Sequence, residues 1–484
     1  MQSTSPAGPD HDAAPGPRGT WRFPATFWFA NFAELFERAA FYGMFISLQL
    51  YLVGEVGFTD VSAGAVSACF SFLLYLMPAF LGPLADKIGF RAALILAFAL
   101  LTGGYALLGA LQIKTTVVVA LALVVLGGAI VKPVISGTAA KCSDEFNRAR
   151  AFSIFYFMVN IGSFSGKTFA PFIRQGFDLP GFGHFELGIR YVNFYAAAMA
   201  FIALIIVVIA YRNPDTAGVG RSFSEVFDSF VRVLCNGRFM CLIVIVAGFW
   251  TIQGQLYAAM PAYIIRLVGE QARPEWLANI NPFVVVTCVV FVTHLVRNVK
   301  PENSIAISLA IIPFSALSMA LAPILQRATG NSIDILGFAM HPITVMAIFG
   351  IAAQGLGECF LSPKFMEYAS KQAPKGEEGL YLGFQNLHSS IAWFVAFVLS
   401  GFLLDRYCPD PNKLKEIDPA AYAQWQDAIA GNGAMPEAYA SAHYLWYVYA
   451  GIGVVSLLAL LLFKYVTAKL DRRAAAAAAG AGGR

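Results

Sequence analysis

Apolar stretches of about 18 to 25 residues recur along almost the whole chain, each long enough to cross about 30 Å of hydrocarbon as a helix. This pattern leaves few folds open. Of 484 residues, 58% are hydrophobic and 13% charged, whereas a soluble domain carries about 25% charged residues. Such a chain cannot hide its apolar surface from water. In lipid, every backbone polar group must be paired internally, which only helices and closed barrels achieve. The ten-residue alternation of barrel strands is absent from the sequence. The expected fold is an all-α polytopic membrane protein.

Twelve spans are predicted, over 24–53, 60–85, 91–112, 115–138, 149–175, 190–211, 236–267, 276–297, 302–326, 338–368, 379–404 and 442–468. With the N-terminus inside, the cytoplasmic segments carry about twice as many Lys and Arg as the outer ones, as the positive-inside rule requires. Both termini are therefore expected in the cytoplasm, with the protein in the plasma (bacterial inner) membrane. Residues 1–22 are polar and rich in Pro and Gly and read as a disordered cytoplasmic segment rather than a cleaved signal peptide; 469–484 reads as a disordered tail. The long loop 212–235 separates a six-span half, 23–211, from a second, 236–468. Two such halves suggest a transporter that rocks about a central site. The outer loop 405–441 reads as a solvated, partly helical connection. The seven scattered cysteines show no pairing pattern and read as packing residues.

The first span contradicts its own composition. Its stretch ELFERAAFYGM places Glu34, Glu37 and Arg38 within five residues. At a helix centre each charge costs about 2.5 to 3.5 kcal/mol, roughly 8 to 10 kcal/mol for three facing lipid. Their i, i+3, i+4 spacing puts them on one face, which Tyr42 extends. That stripe is expected to face a water-filled cavity, although a static ion-pair network locking helices together would also use it. Other spans carry Lys132-Pro133, Asn160, Lys167, Asn281-Pro282 and Glu358. Three intramembrane carboxylates (Glu34, Glu37, Glu358) then balance three cations (Arg38, Lys132, Lys167), which leaves room for a proton to replace one ion-pair partner.

The loop GPLADKIGFR, with Gly82, Asp86 and Arg91, resembles the signature of the major facilitator superfamily between its second and third helices. ELFERAAFYG, GGAIVKPVIS, FYFMVNIGSF, NINPFV and GECFLSPKFMEYASKQAP follow, in family order, motifs of the proton-dependent oligopeptide transporters, which this chain resembles over most of its length. The resemblance implies twelve transmembrane helices in the major facilitator fold and proton-coupled solute import. It implies proton coupling by Glu34, Glu37, Arg38 and Lys132. Asn160, Asn281 and Glu358 would hold a peptide's amino terminus, and Tyr42 and Tyr75 would line the same cavity. Asp86 and Arg91 would act in gating, and Pro133, Pro282 and Pro363 are expected bending points.

The chain also departs from that pattern. Phe41 and Phe45 stand where the family has Tyr and Arg. Val134 replaces the Asn after Lys-Pro, and Gly254 stands for the acid of the seventh-helix FWxxxEQ. Gln385 stands for a Trp of span 11, while Ser389 is retained; both are assigned to the pocket. Lys167, two turns after Asn160, is expected to replace the cation lost at Phe45 and meet a substrate carboxylate or Glu358, with snorkelling to the outer interface as its alternative.

GSFSGKT, 162–168, resembles a phosphate loop but has three residues between its glycines and lies inside a span. His294, His341 and His388 show no metal spacing, His184 falls in an outer loop, and neither HExxH nor GxSxG occurs. The expectation is a non-enzymatic symporter without cofactor, using protons as coupling ion. Its expected partners are short peptides or peptide-like solutes and the bilayer, with no nucleic acid, and its expected state is a monomer. The rivals are a transporter of another amine, amino-acid derivative or anion, an exporter, and a non-transporting receptor or scaffold.

Overall fold

The computed structural model describes residues 22–481 except 145–146, 180–182, 186, 214–222, 270–271, 336, 373–380, 382–383 and 385. Ten helical stretches there are long and apolar enough to cross a membrane. Two more, Ala25–Gly54 (span 1) and Arg148–Gln175 (span 5), are 30 and 28 residues long and carry much of the buried polar chemistry. Together they make the twelve expected spans, six on either side of the linker. Because the number is even, both described ends of the chain lie on one side, here called the terminus side.

Several spans are interrupted, each at an identifiable residue. Span 2 runs Asp60–Leu76 from the Thr59 cap, whose hydroxyl accepts the Ser62 N–H, and resumes as Pro78–Ile88. A proline just inside a helix start loses no internal hydrogen bond. The ninth span likewise splits into Pro301–Ala320 and Ala322–Thr329. Span 7 was expected to be continuous, but Gly237–Gln253 passes into a 3-10 turn, Gly254–Leu256, before Met260–Val268. Pro261 opens that last segment. Span 10, Pro342–Gln372, begins later than expected, because 338–340 pairs with 333–335 as a short hairpin.

The remaining spans are Phe90–Ala110 (span 3), Lys114–Lys141 (span 4), Arg190–Ile209 (span 6), Ile280–Leu295 (span 8), Leu387–Tyr407 (span 11) and Tyr444–Ala481 (span 12). The last runs past 468, so 469–481 is helical rather than disordered. Its alanine run, the strongest helix-forming composition, accounts for this. The described part of the linker forms a helix, Phe223–Leu234, whose Phe230 touches Phe80 of span 2 and Phe384 near span 11.

Within the first half, span 1 packs on spans 5 and 6, and span 3 on spans 4 and 6; within the second, span 10 packs on spans 8 and 9, and span 12 on spans 7 and 9. Spans 2 and 11 lie against each other across the halves. Glycines permit the closest approaches. A Cβ at Gly64 would stand 2.6 Å from the Phe397 carbonyl, and one at Gly401 2.6 Å from that of Asp60. Gly162 and Gly166 meet span 1 as closely, with would-be Cβ atoms 2.4 and 2.3 Å from the carbonyls of Leu35 and Ala39. The apparent phosphate loop is thus a small-xxx-small helix contact.

Candidate functional site

Span 1's charged stripe faces the protein interior. Glu34 and Glu37 are 2% and 1% exposed and Arg38 6%. Arg38 Nε lies 3.1 Å from Glu34 Oε1, its Nη2 pairs with Glu37, and its guanidinium lies over the Phe41 ring at 5.6 Å. One guanidinium therefore serves two carboxylates, and Glu34 Oε2 is buried without a hydrogen-bond partner. Lys132 forms no ion pair with either acid among the described residues; its Nζ sits 4.1 Å from the Tyr75 ring centroid. Its helix contains Pro133, whose ring packs 3.5 Å from where a Gly82 Cβ would be.

Beside this cluster lies a cavity of about 250 Å³ between the halves. Of the residues singled out from sequence, Tyr42, Tyr75, Asn160, Lys167, Asn281, Pro282, Glu358 and Ser389 line it. Glu358, on span 10, accepts 2.7 Å from Gln253 Nε2 and 3.4 Å from Asn281 Nδ2, both on Oε2. Gln253 keeps its own Oε1 buried and unpartnered. The set is a carboxylate braced by amides with a free carbonyl beside it, a suitable acceptor for an ammonium. Asn160 Nδ2 donates to the Tyr156 carbonyl one turn back. Ser389 Oγ is 3.0 Å from His388 Nε2, and the His388 ring packs on Trp250 and Phe365.

Lys167 is 1% exposed and does not snorkel. Its Nζ donates to the Ala278 carbonyl at 3.3 Å, across the halves, and lies 5.6 Å from the Tyr42 ring. Pro282 falls in the first turn of span 8 rather than in a helix interior, so it opens that helix and does not bend it. Pro133 and Pro363 are interior. Arg91 caps span 6, its Nη2 donating to the Val208 carbonyl at 2.7 Å. Gln385 and the side chain of Asp86 lie outside the described residues.

The departures have structural consequences. Phe45 is the hub of an aromatic cluster with Tyr257, Trp393, Phe397 and Phe41, at centroid distances of 5.1, 5.3, 5.6 and 4.9 Å. Tyr75 stacks on Trp393 at 6.1 Å. At Gly254 a Cβ would stand 3.0 Å from that of Ala396, so span 11 occupies the room an acidic side chain would need. Sequence reading missed Gln253, whose signal was a second amide inside FWTIQGQ, one residue before the sought acid.

It also missed the residues that close the side opposite the termini. Arg266, at the end of span 7, grips Asp60 of span 2 with both terminal nitrogens at 3.0 and 2.8 Å and donates to the Cys408 carbonyl at 2.6 Å. Arg174 of span 5 pairs with Glu275 at 2.8 Å and donates to the Ala272 carbonyl at 2.9 Å. Trp276 and Asn279 donate to Thr168 at 3.1 Å each. These bonds join the halves and seal that side. The available signal was a charge at, or within one residue of, the end of a predicted span.

Two six-helix halves meet around a charged cavity, and residues 27–333 match the Major Facilitator Superfamily; the chain belongs to it. The chain is 25% identical over 313 residues to Peptide transporter family 1 of Drosophila melanogaster, covering 54% of this chain and 42% of that protein. It is 28% identical over 203 residues to Dipeptide and tripeptide permease B of Photorhabdus asymbiotica, covering 41% and 39%. The matches thus span less than half the length of these curated relatives. Among solved structures, a proton-dependent oligopeptide transporter superposes with TM-score 0.62 at 19% identity, covering 91% of this chain and 99% of that one. A POT family transporter in complex with 5-aminolevulinic acid superposes with TM-score 0.65 at 18% identity, covering 92% and 98%. At such identities the superpositions speak for the fold.

Proposed function

We propose that this chain is a proton-coupled symporter of the oligopeptide-transporter branch, importing di- or tripeptides or peptide-like solutes by alternating access. The observation that carries this reading is the amide-braced Glu358 facing the cavity that also holds Lys167, next to the two-carboxylate cluster on Arg38. The ammonium of a solute binds Glu358 and the free Gln253 carbonyl, and its carboxylate draws Lys167 from Ala278. A proton on Glu34 or Glu37 removes one claim on Arg38, and the remaining carboxylate then holds the guanidinium alone. With both termini in the cytoplasm of a bacterial inner-membrane protein, the sealed side is the outer one and this conformation faces inward. Release to the cytoplasm follows, with the proton after the solute. Asp86, Pro133 and Pro363 belong to the moving elements, Gln385 to the pocket, and the working unit is a monomer.

One observation favours a second cargo within the same mechanism. Phe45 fills with an aromatic ring the place of a cation, which shortens the cavity and suits an amino-acid derivative. Proteoliposome uptake under an inward proton gradient decides between them. Labelled alanyl-alanine accumulating faster than alanine or 5-aminolevulinic acid supports peptides, and accumulation of the small amines alone replaces them as cargo. No proton-driven accumulation of any of these solutes rejects the symporter reading.

A further inference from the structure

A second cavity, of about 440 Å³, lies outside the seal. Its walls include Gln49 and Glu55 at the end of span 1, Arg174 and Arg266, and Asp410 and Trp425 from the 405–441 insertion. Both halves and the insertion therefore meet there. The insertion is built to stay in place. Asp410 and Asp418 cap its helices Pro411–Ile417 and Pro419–Ile429, Tyr439 Oη donates to the Pro409 carbonyl at 3.0 Å, and Trp425 Nε1 donates to the Arg266 carbonyl at 2.8 Å.

Among the described residues, the charges of this cavity that form no ion pair are both negative. Arg266 is committed to Asp60 and Arg174 to Glu275. Glu55 and Asp410 form no ion pair among the described residues, although Arg190 and Arg266 respectively lie near enough to feel their charges. The Asp410 carboxylate accepts the Asn412 N–H, at 2.9 Å. Gln49 is 1% exposed; its Nε2 reaches the Asp60 carbonyl at 3.5 Å, and its Oε1 is buried without a partner. Tyr422 and Trp425 stack beside these acceptors, 5.7 Å apart at 25°, and Lys415 Nζ already lies over the Tyr422 ring at 5.6 Å. Two carboxylates, an unsatisfied amide oxygen and an aromatic pair make a receptor for an ammonium with an apolar body.

We infer that this vestibule is a second binding site, for small ammonium compounds carrying an aromatic or aliphatic group, and that its occupancy holds the sealed conformation. The walls come from both halves, so parting the seal carries Glu55 away from Asp410. A ligand touching both binds the sealed state better than the open one and shifts the population toward it by that difference. The site does not depend on the cargo of the central cavity.

The test uses the full chain in nanodiscs, phenethylammonium as probe, uncharged 2-phenylethanol as control, and calorimetric binding. Phenethylammonium is expected to bind and the alcohol not. The double variant Glu55→Gln/Asp410→Asn is expected to weaken vestibule binding at least tenfold and Gln49→Leu severalfold, while Glu358→Gln, which alters only the central cavity, leaves that vestibule binding in place. Spin labels on the two halves across the seal are expected to show a larger short-distance population with the probe. The inference is overturned by wild-type affinity in the double variant, by loss of binding in Glu358→Gln, by no binding at millimolar probe, or by label distances indifferent to the probe.

Discussion

Two buried arginines, each paired with acid, are built in opposite ways in this molecule. Arg266 meets one carboxylate, Asp60, and satisfies both of its oxygens across the halves. Arg38 meets two carboxylates from its own helix and leaves Glu34 Oε2 without a partner. The first arrangement has no vacancy: either member removed leaves a buried charge alone, so it suits a latch that is made or broken as a unit. The second is over-supplied with acid, and a proton can take the place of half an ion pair without stranding the guanidinium. On the proposed reading, the stoichiometry of buried charge, rather than burial itself, separates a gate from a proton site.

The largest effect expected from this contrast is at Glu37. Glu37→Gln removes the competition for Arg38, and proton-driven uptake should fall to background while counterflow persists in proteoliposomes; retained acid-driven uptake would erase the distinction. At the latch, Arg266→Met strands Asp60 and should cost the sealed state about 3–5 kcal/mol. Label distances across that side should lengthen, and Asp60→Asn/Arg266→Met, which strands no charge, should recover most of the loss. A smaller loss tests what positions the cluster. Gly166→Ala forces a Cβ to within 2.3 Å of the Ala39 carbonyl, and a drop of about 1–3 kcal/mol in stability is expected, read as a lower Tm. Gly103→Ala, a helix-interior site with open space around it, should leave Tm unchanged or slightly raised. The smallest effect is at Lys167, a cation with no carboxylate partner among the described residues. Lys167→Gln should raise KM about tenfold for a solute with a free carboxylate and leave its amide unaffected. An equal rise for both would make Lys167 part of the latch only.

Much of this was legible before any coordinates. The number and order of the spans follow from hydropathy, and the shared face of Glu34, Glu37 and Arg38 follows from helical spacing, because local periodicity fixes which side chains share a face. Lys132 shows where that logic stops. Its sign balanced the carboxylates on paper, yet it rests on Tyr75, a residue from another span. The break in span 7 was hidden because hydropathy does not register a 3-10 turn, and Gly254 looked like a missing acid rather than a place where span 11 comes close. Asp60, Arg174, Arg266 and Glu275 were passed over since each stands singly near a span end, and its partner lies about 100 or more residues away.

By itself the sequence determined that the chain lies in a membrane as helices, that one face of span 1 avoids lipid, and that the intramembrane charges nearly cancel. These are consequences of solvent and period, which act within one helix. Only the tertiary structure decided which charges pair, which stay unpartnered, where the halves are latched, and that the insertion roofs a second cavity. Those outcomes depend on distances between helices, set by glycine contacts and aromatic packing between distant segments, and a carboxylate's role depends on how many donors reach it.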